Sequence, residues 1–124
     1  YLPFDYAAPL RDLTAHPAAL GTMSVFPSAG RWDASNAAIA GDQVVRYAKG
    51  TTDPALDHID YGAIALRREV IEALPPEEPW GLDALQADLA TSGHLRALVA
   101  PERFYEIGSE AGLAELERAL GEGR

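Results

Sequence analysis

The sequence predicts an α/β domain, with a mixed, mostly parallel sheet flanked by helices, and three observations lead to it. Short apolar, β-prone runs and amphipathic stretches follow one another in the order α-β-β-β-β-α-α-β-α. Gly41-Asp42 joins two of the runs as a hairpin turn, whereas every other strand is set apart by a segment that implies a crossover. Finally, 124 residues without internal repeat or linker suit a single domain, residues 1–124.

The elements can be justified in turn. Asp5 is placed to cap a helix carrying Tyr6, Leu10 and Leu13, with Pro9 in its first turn and His16-Pro17 as its stop. Leu20 to Phe26 is a short buried strand ended by Pro27. The small and polar residues from Ser28 to Asn36 form a loop, and the hairpin strands Ala37 to Ala40 and Gln43 to Tyr47 follow. Beyond the polar stretch Lys49 to Asp57, Ile59 to Leu66 is β-prone, and Arg67 to Leu74 is helical with Val70, Ile71 and Leu74 on one face. Pro75-Pro76 ends that helix. The next carries Leu82, Leu85 and Leu89 and stops at Gly93. His94 to Ala100 is the last strand, and Ser109 caps a helix bearing Leu113, Leu116 and Leu120.

Composition narrows the functional classes. With 48% hydrophobic and 23% charged residues the chain is globular in character, and no apolar run approaches the roughly 20 residues that span a bilayer. A formal charge of −9 opposes binding to a polyanionic duplex, so nucleic acid is not an expected partner. One small anion remains compatible, because it needs only a few placed cations. The lack of cysteine removes disulfides and thiolate chemistry and leans toward a cytoplasmic setting.

Four places could carry chemistry. Asp60 lies inside an apolar segment and needs hydrogen bonds to be tolerated there. Local backbone, Arg67 or Arg68 could supply them, and Gly62 could mark a bulge. Lys49 leaves the end of a strand just before Gly50, where it is either an anion contact or an ordinary solvated lysine. Glu106 sits between the last strand and the last helix, either facing a cleft or stabilised by the helix dipole. Asn36 ends a loop containing Arg31, Trp32 and Asp33, which could itself be a lid. Arg103 has salt-bridge partners in Glu102 and Glu106. His16, His58 and His94 are too scattered for a helical zinc motif, no G-x-S-x-G is present, and Gly121-Glu122-Gly123 is a frayed helix end.

The strings RYAKG (Arg46 to Gly50), HIDYGAIALRREV (His58 to Val70) and RFYEIGSEAGL (Arg103 to Leu113) resemble, in order and spacing, the C-terminal half of sugar-1-phosphate nucleotidyltransferases of the mannose- or heptose-1-phosphate guanylyltransferase kind. The resemblance runs from Tyr1-Leu2 to the last helix. The family's glycine-rich G-G-x-G-T-R loop, its Pro-Lys and its Gly-Asp do not occur in the sequence. The resemblance thus implies an incomplete Rossmann-like nucleotidyltransferase fold supplying the sugar-phosphate side.

It further implies transfer of a nucleotidyl group from a nucleoside triphosphate to a sugar 1-phosphate with release of pyrophosphate. Lys49 would hold the sugar phosphate, Asp60, Gly62 and Asn36 would line the sugar pocket, and Glu106 would bind Mg2+ where the family has aspartate. The chain alone would be inactive. A sheet edge without its first strands would favour a homo-oligomer, or a second chain supplying the N-terminal half. The alternative is a non-catalytic sugar-phosphate-binding or protein-interaction domain derived from that fold.

Overall fold

The computed structural model describes residues 4–28, 34–105 and 107–123. The elements occur in the expected order: α1 (Ala8–Ala15), β1 (Gly21–Pro27), β2 (Ala37–Ala40), β3 (Gln43–Tyr47), β4 (His58–Leu66), α2 (Arg68–Glu72), α3 (Leu82–Thr91), β5 (Leu95–Val99) and α4 (Glu110–Glu122).

The expected mostly parallel, Rossmann-like sheet is not what they form. The five strands close into a small barrel in the order β1-β4-β2-β3-β5. Only β1 and β5 run parallel; β1–β4, β2–β3, β2–β4 and β3–β5 are all antiparallel. The cause is that β4 returns alongside β1 in the opposite direction, and the chain then passes through α2 and α3 to enter β5 parallel to β1 on its other side. Two narrow seams complete the ring, Ala37 opposite His58 and Gln43 opposite Arg96. The second seam is strengthened by Ala97 N–H donating to the Asp42 carbonyl at 2.8 Å, inside the predicted hairpin turn. Each strand therefore has a neighbour on both sides, and the expected open edge is absent among the described strands.

Local chemistry explains most element boundaries. In α1 the Asp5 carboxylate accepts from Ala7 N–H at 3.0 Å, and Pro9 lies in the first turn, where its missing N–H costs nothing. The buried residues of α1 are Pro9 and Leu13, while Tyr6 and Leu10 face solvent, so the expected face is rotated. Gly93 takes the left-handed conformation, φ 77°, just beyond α3. The Ser109 hydroxyl accepts from Gly112 N–H at 3.1 Å and caps α4.

The core joins Met23 and Val25 of β1, Val44 and Tyr47 of β3 and Leu95 and Ala97 of β5 to Val70 of α2 and Leu85 and Leu89 of α3. Val70, Leu85 and Leu89 are inside as the periodicity requires, but Ile71 and Leu82 are exposed. No residue of α4 is buried, and Leu113 and Leu120 stand open to solvent.

A polar fastening ties α1 to the parallel pair. Asp12 accepts from Arg96 Nε at 2.9 Å and Nη2 at 3.3 Å, and from the Thr22 hydroxyl at 2.9 Å. Burial alone would raise the Asp12 pKa, but hydrogen bonds from Arg96 and Thr22 outweigh it and hold the carboxyl below its ordinary value. Arg67, expected near Asp60, turns instead to the C-terminal end of α1. It donates to the carbonyls of Leu13 at 2.9 Å and His16 at 3.1 Å, and to that of Ala19 at 2.6 Å. Carbonyls at a helix C-terminus have no partner within the helix, and a guanidinium satisfies several at once.

Replacing Asp12 by Asn leaves Arg96 without its charge partner and should cost on the order of 3 kcal/mol at neutral pH. Because the folded-state pKa of Asp12 is depressed, its stabilisation is complete above the ordinary carboxylate value of about 3.9 and disappears as pH falls through the lower folded value. Urea unfolding of wild type and Asp12→Asn should therefore differ clearly at pH 7, and the difference should shrink as the pH is lowered below the ordinary carboxylate value. A difference that persists at low pH would remove the carboxylate charge as the cause.

Candidate functional site

Asn36, just before β2, joins three stretches of chain. Its backbone N–H donates to the His58 carbonyl at 2.9 Å, its carbonyl accepts from Ala48 N–H at 2.9 Å, and its side-chain Oδ1 accepts from Asp60 N–H at 2.9 Å. The bond to Ala48 fixes the chain one residue before Lys49. The structure thus brings Asn36, Asp60 and the base of Lys49 together.

The expense of Asp60 is met by two donors. Gly62 N–H donates to Oδ1 at 2.9 Å, and Gln86 Nε2, from α3, donates to Oδ2 at 3.0 Å. Gln86 is almost wholly buried, and its Nε2 also reaches Met23 Sδ at 3.2 Å. Neither Arg67 nor Arg68 takes part.

Gly62 is the centre of a bulge. Met23 pairs with Ile64 and Val25 with Asp60, so Ser24 alone faces Tyr61, Gly62 and Ala63. Gly62 has φ 86°, a conformation that side chains disfavour. Ser24 Oγ donates to the Ala63 carbonyl at 2.6 Å, and the Asp60 carboxylate takes the Gly62 amide, so both freed backbone groups are satisfied locally.

The surroundings separate the candidates. A cavity of about 450 Å3 lies between Ser35 and the loop after β3, lined also by Thr51, Asp53, Leu56 and Asp57. It flanks the Asn36 junction and begins two residues after Lys49. Gly62 instead borders a different groove, shared with Pro9, Leu10 and Ile64. Lys49 is exposed and has no ion pair among the described residues, whereas nearby Arg46 is paired with Asp53. Thr51, Asp53 and Asp57 had only the signature of a polar loop.

Tyr47 was not singled out by the sequence. Its side chain belongs to the core, 4% exposed, and its hydroxyl has no hydrogen-bond partner. Burial, then the charges of Asp60 and Asp83, push its pKa up to about 12. The phenol therefore stays protonated beside the Asp60 carboxylate.

Glu106 lies outside the described residues. Its loop is held by an aromatic cluster: the Tyr61 ring meets Phe4 at 5.2 Å and Phe104 at 5.7 Å, and its hydroxyl donates to the Glu102 carbonyl at 2.6 Å. Arg103 pairs with Glu115 of α4 at 2.8 Å and lies 4.5 Å from the Tyr105 ring centre. Among the described residues no group of three or more His, Asp or Glu side chains could hold a metal ion, and none of the helices is long and apolar enough to cross a membrane. No protein-family model matches the chain, and no curated protein matches its sequence.

Two substitutions test this junction. Gly62→Ala should cost about 1–2 kcal/mol through the positive φ alone, because an added Cβ would have no atom within 4 Å. Asn36→Ala should cost about 1–3 kcal/mol by leaving Asp60 N–H without its acceptor. Chemical denaturation measures both; a neutral Gly62→Ala would show that the bulge relaxes freely.

Proposed function

We propose that this chain binds a sugar 1-phosphate at the Asn36 junction, as the sugar-phosphate side of a nucleotidyl transfer from a nucleoside triphosphate. The observation that carries the reading is the position of Lys49. It is exposed, it lacks a described ion-pair partner in a chain of net charge −9, and its backbone is tied through Ala48 to Asn36 beside the cavity lined by Ser35, Thr51 and Asp57. A phosphate would pair with the Lys49 ammonium. The hydroxyls of Ser35 and Thr51 and the carboxylate of Asp57, which line the cavity, are suitable partners for a sugar ring.

Asn36 holds the junction, and Asp60 supports it from β4 rather than lining that cavity. Gly62 serves the bulge, which accounts for its place without requiring sugar contact. Magnesium belongs to the proposal through Glu106 alone, and the described residues do not make a magnesium site by themselves.

One observation favours the non-catalytic alternative, a sugar-phosphate-binding or interaction domain. Helix α4 buries none of its residues and shows Leu113 and Leu120 to solvent, so it is available to a partner. Both readings share the sugar-phosphate site and differ in turnover.

Calorimetry of the chain with mannose 1-phosphate or glucose 1-phosphate should show binding, and Lys49→Ala should weaken it about ten-fold or more, since a charged hydrogen bond contributes roughly 1.5–3 kcal/mol. The parent sugars should bind equally to wild type and variant. Nucleoside triphosphate with magnesium should bind weakly and give no nucleotidyl transfer with this chain alone. Absence of sugar 1-phosphate binding by the wild type would overturn the proposal.

A further inference from the structure

Two of the three histidines, far apart in sequence, meet at one groove. A cavity of about 310 Å3 between the end of α1 and the start of β5 is lined by His16, Gln43, Gly93, His94 and Arg96, among others. It shares no lining residue with the cavity beside Asn36, so the two sites stand or fall separately. One short stretch of backbone fixes both histidines. Ala19 N–H donates to the His16 carbonyl at 3.0 Å, and the next residue, Leu20, donates to the His94 carbonyl at 3.0 Å. Arg67 Nη2 adds a second bond to the His16 carbonyl at 3.1 Å.

The hydrogen bonds set which ring nitrogen carries the proton. His16 Nδ1 lies 2.7 Å from the Asp12 backbone carbonyl, which can only accept, so the neutral ring holds its proton on Nδ1. His94 Nδ1 lies 2.9 Å from the Ser92 hydroxyl. That hydroxyl gives its one proton to the Leu89 carbonyl at 3.1 Å, so its oxygen accepts from His94 Nδ1–H. Both rings are left with a bare Nε2 that has no hydrogen-bond partner among the described residues. Metal-ligating histidines have this arrangement, in which the far nitrogen donates to a neighbouring oxygen that orients the ring and makes the ligating nitrogen more basic.

We infer that His16 and His94 bind a divalent transition-metal ion of the zinc class through their Nε2 atoms, in the groove between α1 and β5. Imidazole nitrogen suits zinc, nickel and copper, whereas magnesium takes oxygen ligands, so this site differs in chemistry from a magnesium site at Glu106. The local charge also suits a cation. Arg96 is neutralised by Asp12, whose carboxylate lies 3.6 Å from His16 Nδ1, and Asp42 adds a further negative charge near Arg96. Gln43 lines the same groove and carries a side-chain carbonyl that can serve as a third ligand. No group of three His, Asp or Glu completes a site among the described residues, so the other coordination positions are left to solvent or to an incoming ligand.

Calorimetry with Zn2+ at neutral pH should show a single saturable site, and His16→Ala and His94→Ala should each weaken it about ten-fold or more. Ser92→Ala, which removes only the acceptor of His94 Nδ1–H, should cost about ten-fold. His58→Ala should leave zinc affinity unchanged, and so should an excess of Mg2+. Thermal melting checks that each variant folds, with His16→Gln and His94→Gln used in place of an alanine variant that does not melt cooperatively. Nitrogen NMR of the metal-free protein should find both rings protonated on Nδ1, with the Nε2 signals moving on zinc addition; protonation on Nε2 in either ring would overturn the inference. So would the absence of saturable zinc binding by wild type. Binding that survives either single substitution, or that His58→Ala weakens equally, would show zinc held adventitiously at the surface and would likewise overturn it.

Discussion

The bulge in β4 is the constraint on which the rest of the barrel depends. β4 must follow β1 along its length and still present His58 to β2. A strand in unbroken register bends too little for both, and the extra residues opposite Ser24 supply the bend. The freed backbone groups are answered by Ser24 Oγ and the Asp60 carboxylate. Asp60 is thereby fixed where Gln86 of α3 can reach it, which links the barrel wall to the helix that covers it. Tyr61, within the same bulge, packs against Phe4, Phe26 and Phe104 and anchors the loop after β5 through the Glu102 carbonyl.

The one-dimensional organisation was legible because its signals are local. Gly41-Asp42 turned the hairpin, Gly93 stopped α3 and Ser109 capped α4, each through chemistry that involves only near neighbours. Strand direction was not legible. Whether β4 runs with or against β1 depends on pairings between segments far apart in sequence, and the expectation of parallel strands rested on reading the intervening segments as crossovers. Helical faces fell between these cases: Leu85 and Leu89 point inward, but the short α2 and the first turns of α1 and α3 leave Ile71, Leu10 and Leu82 outside.

The candidate site divides in the same way. An acid in an apolar strand announced that Asp60 needs partners, and the Gly62 bulge was among the alternatives, but nothing nearby in sequence names Gln86. Arg67 was a reasonable partner by proximity alone; the unsatisfied carbonyls at the end of α1 compete for it more effectively. Tyr47 has the pattern of an ordinary core aromatic, and only three-dimensional placement reveals that its hydroxyl lacks a partner.

The lone parallel pairing also governs the order in which the chain can assemble. The β2–β3 hairpin closes over a two-residue turn and forms locally, whereas β1 and β5 meet only after most of the chain between them is organised. The Asp12–Arg96 fastening spans 84 residues, so its loop-closure entropy is spent before the contact returns anything. Pairings of such wide separation in sequence slow the folding of a chain relative to one held by local contacts alone.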